Sequence, residues 1–169
     1  IQGKLGMVPN MMRTMGNSPA VLNGYLSFSG ALGESSIGAK LGELIALTVA
    51  NANGCDYCNA AHSFIGEKLV GIDPRVIELA KEGKSSDPKI QAALLFSRTL
   101  ISKKGKANAE DVDALKSAGY NDAEKWWEHA FENRVSNEEV FTNNYFYPKK
   151  NPVMIYITGL KLTILKKNL

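Results

Sequence analysis

Helix start and stop signals recur at short intervals along the first two thirds of this chain. Three times a Ser or Asp stands directly before a proline, at Ser18-Pro19, Asp73-Pro74 and Asp87-Pro88. Such a residue caps the first turn, and proline fits the next position because its missing N–H needs no partner there. Glycines such as Gly83 and Gly119 follow at helix spacing and indicate helix ends. The pattern predicts an all-α protein built as an antiparallel helical bundle.

The same signals predict the individual helices and one tight turn. The expected helices cover residues 18–31, 40–52, 55–71, 73–83, 87–105 and 108–119, and one more begins at Asn121 or Asp122. Asn53-Gly54 predicts a turn that folds the second of these helices back against the third. A chain of 169 residues suggests one compact domain.

Composition divides the chain into a helical domain, residues 1–140, and a basic tail, residues 141–169. The tail holds five lysines and no Asp or Glu, and we expect a solvated end rather than a binding segment for an acidic partner. A net charge of +3 is too small to indicate a nucleic-acid partner. The most apolar late stretch, Pro152–Leu165, contains Lys161 and is too short for a membrane span. The opening residues show no apolar targeting stretch, and we expect a cytoplasmic protein.

The two cysteines, Cys55 and Cys58, form one C-x-x-C pair. A secreted disulfide framework would need more cysteines, spread along the chain. In a reducing compartment such a pair is more often redox-active or metal-binding than structural. Both thiols fall in the first turn of the helix expected from Cys55, where unpaired N–H groups and the helix dipole favour an anion. This position lowers a thiol pKa and raises the thiolate fraction.

The expected helix from Cys55 places its reactive side chains on one face. That face is formed by residues 55, 58, 62, 65 and 69, which are Cys, Cys, His, Ile and Leu. The two cysteines are close enough for disulfide closure. His62, four residues after Cys58, can take its proton and hold the thiolate as an ion pair. His129, near Trp126 and Trp127, has no comparable partner and is interpreted as structural.

Glu43 is the only charged residue between Leu41 and Ala50. A helix that is apolar nearly all round is usually buried, and a buried carboxylate needs a partner. At ~1.5 Å per residue, Glu43 lies about 16 Å and His62 about 12 Å from the turn between their helices. We therefore expect the two side chains to meet, directly or through a water, so that Glu43 orients His62 and raises its basicity.

Other chemistries for these residues fit less well. Cys55, Cys58, His62 and Glu43 contain the donor types of a tetrahedral zinc site, but three ligands on one continuous helix do not spread easily around an ion. A thioredoxin-like site needs a strand before the C-x-x-C pair, and a c-type haem site needs a histidine where Asn59 stands. The residues favour a thiol redox enzyme without a bound cofactor. The alternative is a non-enzymatic, metal-binding or redox-sensing oligomer that uses the same side chains.

The spacing of Glu43, Cys55, Cys58 and His62 resembles the alkylhydroperoxidase D-like (AhpD-like) branch of the carboxymuconolactone decarboxylase family. The resemblance extends over roughly residues 3–123 and includes Gly6–Asn10, Ser18–Val21, Glu43–Leu47, Gly71–Asp73 and Gly119-Tyr120. It implies an all-α fold with the C-x-x-C pair at the start of a core helix. It also implies a homo-oligomer, a trimer or a hexamer, that reduces peroxides with a dithiol.

The resemblance further implies a role for each of the four residues. Cys58 is the peroxidatic thiolate, Cys55 donates a proton and then resolves the sulfenic acid, His62 is the base and Glu43 supports the proton relay. Electrons come from a dithiol reductant, which in this family can be a lipoyl-bearing protein.

Two departures from the family pattern bear on function. Tyr57 stands where some members carry a second histidine, and the segment after about Ala123 does not match the usual closing helices. A third possibility is therefore a degenerate member that keeps the fold without the chemistry. The Cys pair itself argues against lactone decarboxylation, because the decarboxylase branch lacks it.

Overall fold

Every regular element in the part of the chain that the structure describes is helical, which confirms the predicted all-α class. The computed structural model describes residues 1–122 and residue 124. Its helices are α1 (Gln2–Leu5), α2 (Asn10–Met15), α3 (Pro19–Gly33), α4 (Gly38–Ala52), α5 (Asp56–Phe64), α6 (Pro74–Lys81), α7 (Pro88–Ser102) and α8 (Ala109–Ser117), and a π-helical turn, Ile65–Val70, continues α5. The tail at 141–169, Trp126, Trp127 and His129 lie outside the described residues. None of the helices within 1–122 has the length and apolar character needed to cross a membrane.

Helix α4 is the centre of the bundle. It packs against α5, α6 and α7, and every residue from Leu44 to Ala50 is buried. The one hydroxyl in this run, that of Thr48, donates to the Ala80 carbonyl oxygen of α6 at 2.6 Å. Because neighbours surround α4 on several sides, its sequence is apolar nearly all round.

The predicted helix starts are confirmed at the Asp and Asn positions. The Asp73 carboxylate accepts from the Arg75 N–H at 2.7 Å, and Asp87 accepts from the N–H groups of residues 89 and 90. Asn108 and Asp111 form a reciprocal capping box at the start of α8. Ser18 does precede α3, but its side chain makes no capping hydrogen bond. The first helices, α1 and α2, were not expected, because such short segments carry little periodicity.

The N-terminal helices are the least buried part of the described chain. Met11 and Met15, one turn apart on α2, are buried, and α2 packs against α3. In contrast, α3 has no buried residue over its fifteen positions. It also has no charged residue, since none occurs between Arg13 and Glu34. An uncharged helix with so little burial is unusual for a surface exposed to water.

The helix expected over 55–71 is present, but its second half is a π-helical turn. A π-turn holds more residues than an α-turn, so the face that points into the core changes after His62. As a result Leu69, expected on the inward face, is 53% exposed, whereas Gly66 is buried. A Cβ atom on Gly66 would lie 3.5 Å from the side chains of both Ile72 and Ile77. The expectation of one continuous inward face was therefore wrong beyond His62.

Candidate functional site

The two cysteines are joined by a disulfide at the start of α5. Their Cα atoms are 5.3 Å apart, as the three-residue spacing allows. Gly54, with a φ of 69°, closes the turn from α4, and Cys55 then occupies the N-cap position of α5. The backbone N–H of Cys58 donates to the Cys55 sulfur over 3.2 Å. The helix start thus supplies one of its unpaired donors to a sulfur atom.

Both sulfur-bearing residues are inside the protein. Cys55 is 0% exposed and Cys58 is 1% exposed, and both belong to the main apolar core. The inward direction that the sequence predicts for the first part of α5 is therefore confirmed for residues 55, 58 and 62, all of which are buried. We call these three buried residues, Cys55, Cys58 and His62, the redox strip. A reactant must approach the sulfurs across the residues that flank this strip.

Glu43 and His62 meet across the interface of α4 and α5. The Glu43 Oε2 atom lies 2.8 Å from His62 Nδ1, and the exposed fractions of the two side chains are 15% and 3%. Because an ionised carboxylate only accepts hydrogen bonds, Nδ1 carries the hydrogen in this pair. Nε2 is then the ring nitrogen suited to take a proton from a thiol. The contact expected from the sequence is present, and the chemical roles of both residues stay predictions.

The structure does not arrange the four predicted residues as a set of metal ligands. Within residues 1–122, no group of three or more His, Cys, Asp or Glu side chains has the arrangement of a metal site. The two sulfurs are bonded to each other. Tyr57 is partly buried and packs against the core.

Two further residues beside the disulfide were missed by the sequence analysis. Within the described residues, Asn59 Oδ1 and Ser63 Oγ are buried and have no hydrogen-bond partner. Both follow Cys55 at intervals of four, the spacing of one helix face. That spacing is visible in the sequence, but polar residues on a helix usually face water. Only their burial in the fold makes them notable.

Residues 19–69 match the model of the carboxymuconolactone decarboxylase family. This segment includes α3, α4, α5 and most of the π-helical turn, and it contains all four predicted site residues. No curated protein gives a significant sequence match.

Two solved structures share the fold over most of the chain. One is an uncharacterized peroxidase-related protein from Silicibacter sp. TM1040, 26% identical, with a TM-score of 0.78 over 85% of this chain and 77% of that one. The other is an alkylhydroperoxidase AhpD core, an uncharacterized peroxidase-related protein from Ralstonia eutropha JMP134. It is 24% identical, with a TM-score of 0.77 over the same shares of the two chains, and shows a common fold.

Proposed function

We propose that the chain is a thiol-dependent peroxidase of the AhpD-like branch of the carboxymuconolactone decarboxylase family. The family match over residues 19–69 and the fold shared with a peroxidase-related protein support this proposal. The protein cycles between a dithiol and the Cys55–Cys58 disulfide. The observation that carries the proposal is that the disulfide at the start of α5 shares this helix with His62, which contacts Glu43 of α4. A base and its carboxylate partner beside two thiols form the arrangement that activates a thiol nucleophile.

The proposed cycle begins with transfer of the Cys58 proton to His62 Nε2, while Glu43 stabilises the imidazolium. The Cys58 thiolate attacks the terminal peroxide oxygen, so that an S–O bond forms and the O–O bond breaks. The leaving alkoxide takes the Cys55 proton and departs as an alcohol. The Cys55 thiolate then attacks the Cys58 sulfur and forms the disulfide. The released hydroxide takes the proton from His62 and leaves as water.

The backbone at the helix start assists the second half of this cycle. The Cys58 N–H donates to the Cys55 sulfur, and such a bond is stronger to a thiolate than to a thiol. It therefore stabilises Cys55 in the charged form that closes the disulfide. In the proposal, His62 deprotonates Cys58, and the N-terminus of α5 stabilises the Cys55 thiolate.

The cycle also needs a reductant, a compartment and an assembly. We propose a dithiol reductant, for which a lipoyl-bearing protein is a candidate, because a dithiol can release both sulfurs by exchange. A reducing compartment such as the cytoplasm keeps this reductant available.

The uncharged and unburied helix α3 supports the further proposal that the protein is a homo-oligomer, a trimer or a hexamer.

Replacement of Cys58 tests the proposal directly. We expect Cys58→Ser to abolish hydroperoxide consumption in the presence of excess dithiothreitol, since the attacking thiolate is lost. Cys55→Ser, reduced and then freed of dithiothreitol, should retain one turnover and accumulate a sulfenic acid that dimedone labels at Cys58. Far-ultraviolet circular dichroism checks that both variants keep the helical fold. Wild-type activity in Cys58→Ser would refute the proposed role of this residue.

A redox-sensing or metal-binding protein is the second candidate. Burial of both cysteines favours it, because a sensor needs only occasional access to its sulfurs. Zinc analysis of the reduced protein, purified without chelator, separates the candidates. Stoichiometric zinc combined with no hydroperoxide consumption would favour the non-enzymatic protein over the peroxidase.

A further inference from the structure

Two buried oxygen atoms without hydrogen-bond partners lie on α5 beside the disulfide. They are Asn59 Oδ1 and Ser63 Oγ, and the one other such atom within the described residues is Ser29 Oγ on α3. A buried polar group without a hydrogen bond destabilises the fold, because it has lost its bonds to water. Such groups are few in native proteins, and each needs an explanation in structure or function.

The helical geometry places both residues at the edge of the redox strip. At 3.6 residues per turn, Asn59 and Ser63 continue the line of Cys55, next to the line formed by Cys58 and His62. Both are partly exposed as residues, although their oxygen atoms are buried. They therefore stand between the buried sulfurs and the solvent-exposed side of the helix, which carries Asp56 and Ala60.

The opposite edge of the strip is different in character. It carries Tyr57 and Ala61, and the Tyr57 side chain packs against the core. The Asn59–Ser63 edge is thus the side of the strip with unused hydrogen-bonding capacity. It supplies an amide oxygen as acceptor, and a hydroxyl as donor and acceptor. α5 has no Lys or Arg, and Asp56 is its acidic residue, so this edge suits an uncharged ligand better than an anion.

We propose that Asn59 and Ser63 bind the substrate, an uncharged hydroperoxide, at this edge. This inference rests on the proposed peroxidase function. The peroxide O–H donates to Asn59 Oδ1, and the Ser63 hydroxyl donates to a peroxide oxygen. Binding satisfies both buried oxygen atoms and holds the O–O bond beside the Cys55–Cys58 pair. An anionic hydroperoxide is disfavoured because α5 has no Lys or Arg to compensate its charge.

The test compares Asn59→Leu and Ser63→Ala with the control Ser29→Ala, which removes the unpartnered oxygen on α3. The reduced full-length chain is assayed with tert-butyl hydroperoxide and excess dithiothreitol. We expect Asn59→Leu to raise KM about tenfold, equivalent to about 1.4 kcal/mol, and Ser63→Ala to raise it several-fold. Ser29→Ala should retain the wild-type KM, because Ser29 lies on α3 and outside the proposed site.

A second measurement separates substrate binding from an effect on the thiols. Iodoacetamide reacts with the thiolates without using a peroxide site, so its rate should be the same in wild type and in both binding variants. An unchanged KM in both variants of an active enzyme would overturn this inference alone. A slower alkylation that accounts for the whole loss would also overturn it. A wild-type protein that consumes no hydroperoxide would remove the proposed function and this inference together.

Discussion

Glu43 shows how one residue can be recognised in the sequence and given a partner by the fold. It is the one carboxylate in a helix that is otherwise buried from Leu44 to Ala50. Its oxygen lies 2.8 Å from His62 Nδ1, nineteen residues away. This pairing meets the need of a largely buried carboxylate for a hydrogen-bonding partner. It also leaves Nε2 as the His62 ring nitrogen that does not contact Glu43.

Neutralising Glu43 should weaken the base without removing it. In Glu43→Gln the side chain still reaches His62, but it no longer provides the negative charge that stabilises the imidazolium. We expect kcat for hydroperoxide reduction at neutral pH to fall about tenfold to a hundredfold, within the range of general-base effects. The exposed Glu34→Gln variant is the control. Equal kcat values in Glu43→Gln and wild type, measured with the same dithiol, would exclude the relay role.

At the scale of the element, the helix starts depend on interactions within a few residues. In α8 the Asp111 carboxylate accepts from the Asn108 N–H at 2.9 Å, and the Asn108 side chain accepts from the Asp111 N–H at 2.9 Å. Lys103 also pairs with Asp111. The hydrogen bond from Lys103, and then the one from the Asn108 backbone, lower the pKa of Asp111 below its ordinary value of 3.8.

This lowered pKa predicts a pH-dependent contribution of Asp111 to stability. A carboxyl group whose pKa is lower in the folded state stabilises the fold above its unfolded pKa, and the effect is lost as pH falls through the folded value. The free energy of unfolding in urea should therefore differ between wild type and Asp111→Asn at pH 7. The difference should shrink below about pH 3.8. Asp113→Asn, on the exposed side of α8, is the control, and a difference that does not change with pH would contradict the prediction.

The π-helical turn is an element that helix periodicity did not indicate. Hydrophobic spacing predicts an α-helix because the pattern is interpreted at 3.6 residues per turn. From Ile65 onward the backbone follows a wider turn, Leu69 is exposed, and Gly66 faces the core. Close packing of Gly66 with Ile72 and Ile77 belongs to the tertiary structure, and it accompanies this change of face.

At the scale of the whole molecule, α3 is the surface that we propose for contact with a second copy of the chain. Val21 is 44% exposed and Phe28 is 42% exposed. At Gly24 and Gly30 an added Cβ atom would meet nothing within 4 Å. A face without charges can pack against another copy of the chain without like-charge repulsion. Exposed apolar patches of this kind mark interaction sites in soluble proteins.

A charge on this face should separate the subunits. We expect Phe28→Asp to lower the mass measured by light scattering at least to the next smaller assembly, because the interface would have to bury an unpaired carboxylate. Leu95→Asp is the matched control, since Leu95 is 58% exposed and lies on a different helix, α7. A Phe28→Asp protein with the wild-type mass would show that α3 is not the interface. The helical dichroism of both variants confirms folding.

Features that depend on neighbouring residues could be predicted from the sequence. The caps at Asp73, Asp87 and Asn108 each use hydrogen bonds to groups two or three residues away, and the disulfide joins residues three apart. The Glu43–His62 contact could be expected because a single short turn connects their two helices. Such features depend on local spacing and on one chain reversal, both of which are visible in the order of residues.

Features that depend on packing between distant segments required the fold. The sequence does not show that Asn59 and Ser63 have buried oxygen atoms, that α3 lacks burial, or that the helix turns more widely after Phe64. Burial is decided by which helices lie against one another, and the same polar residue is ordinary in water and costly inside. The sequence thus indicates the Cys55–Cys58 pair and the Glu43–His62 relay. Only the tertiary structure decides that Asn59 Oδ1 and Ser63 Oγ are buried without hydrogen-bond partners. Their burial depends on atoms that are many residues away in the sequence.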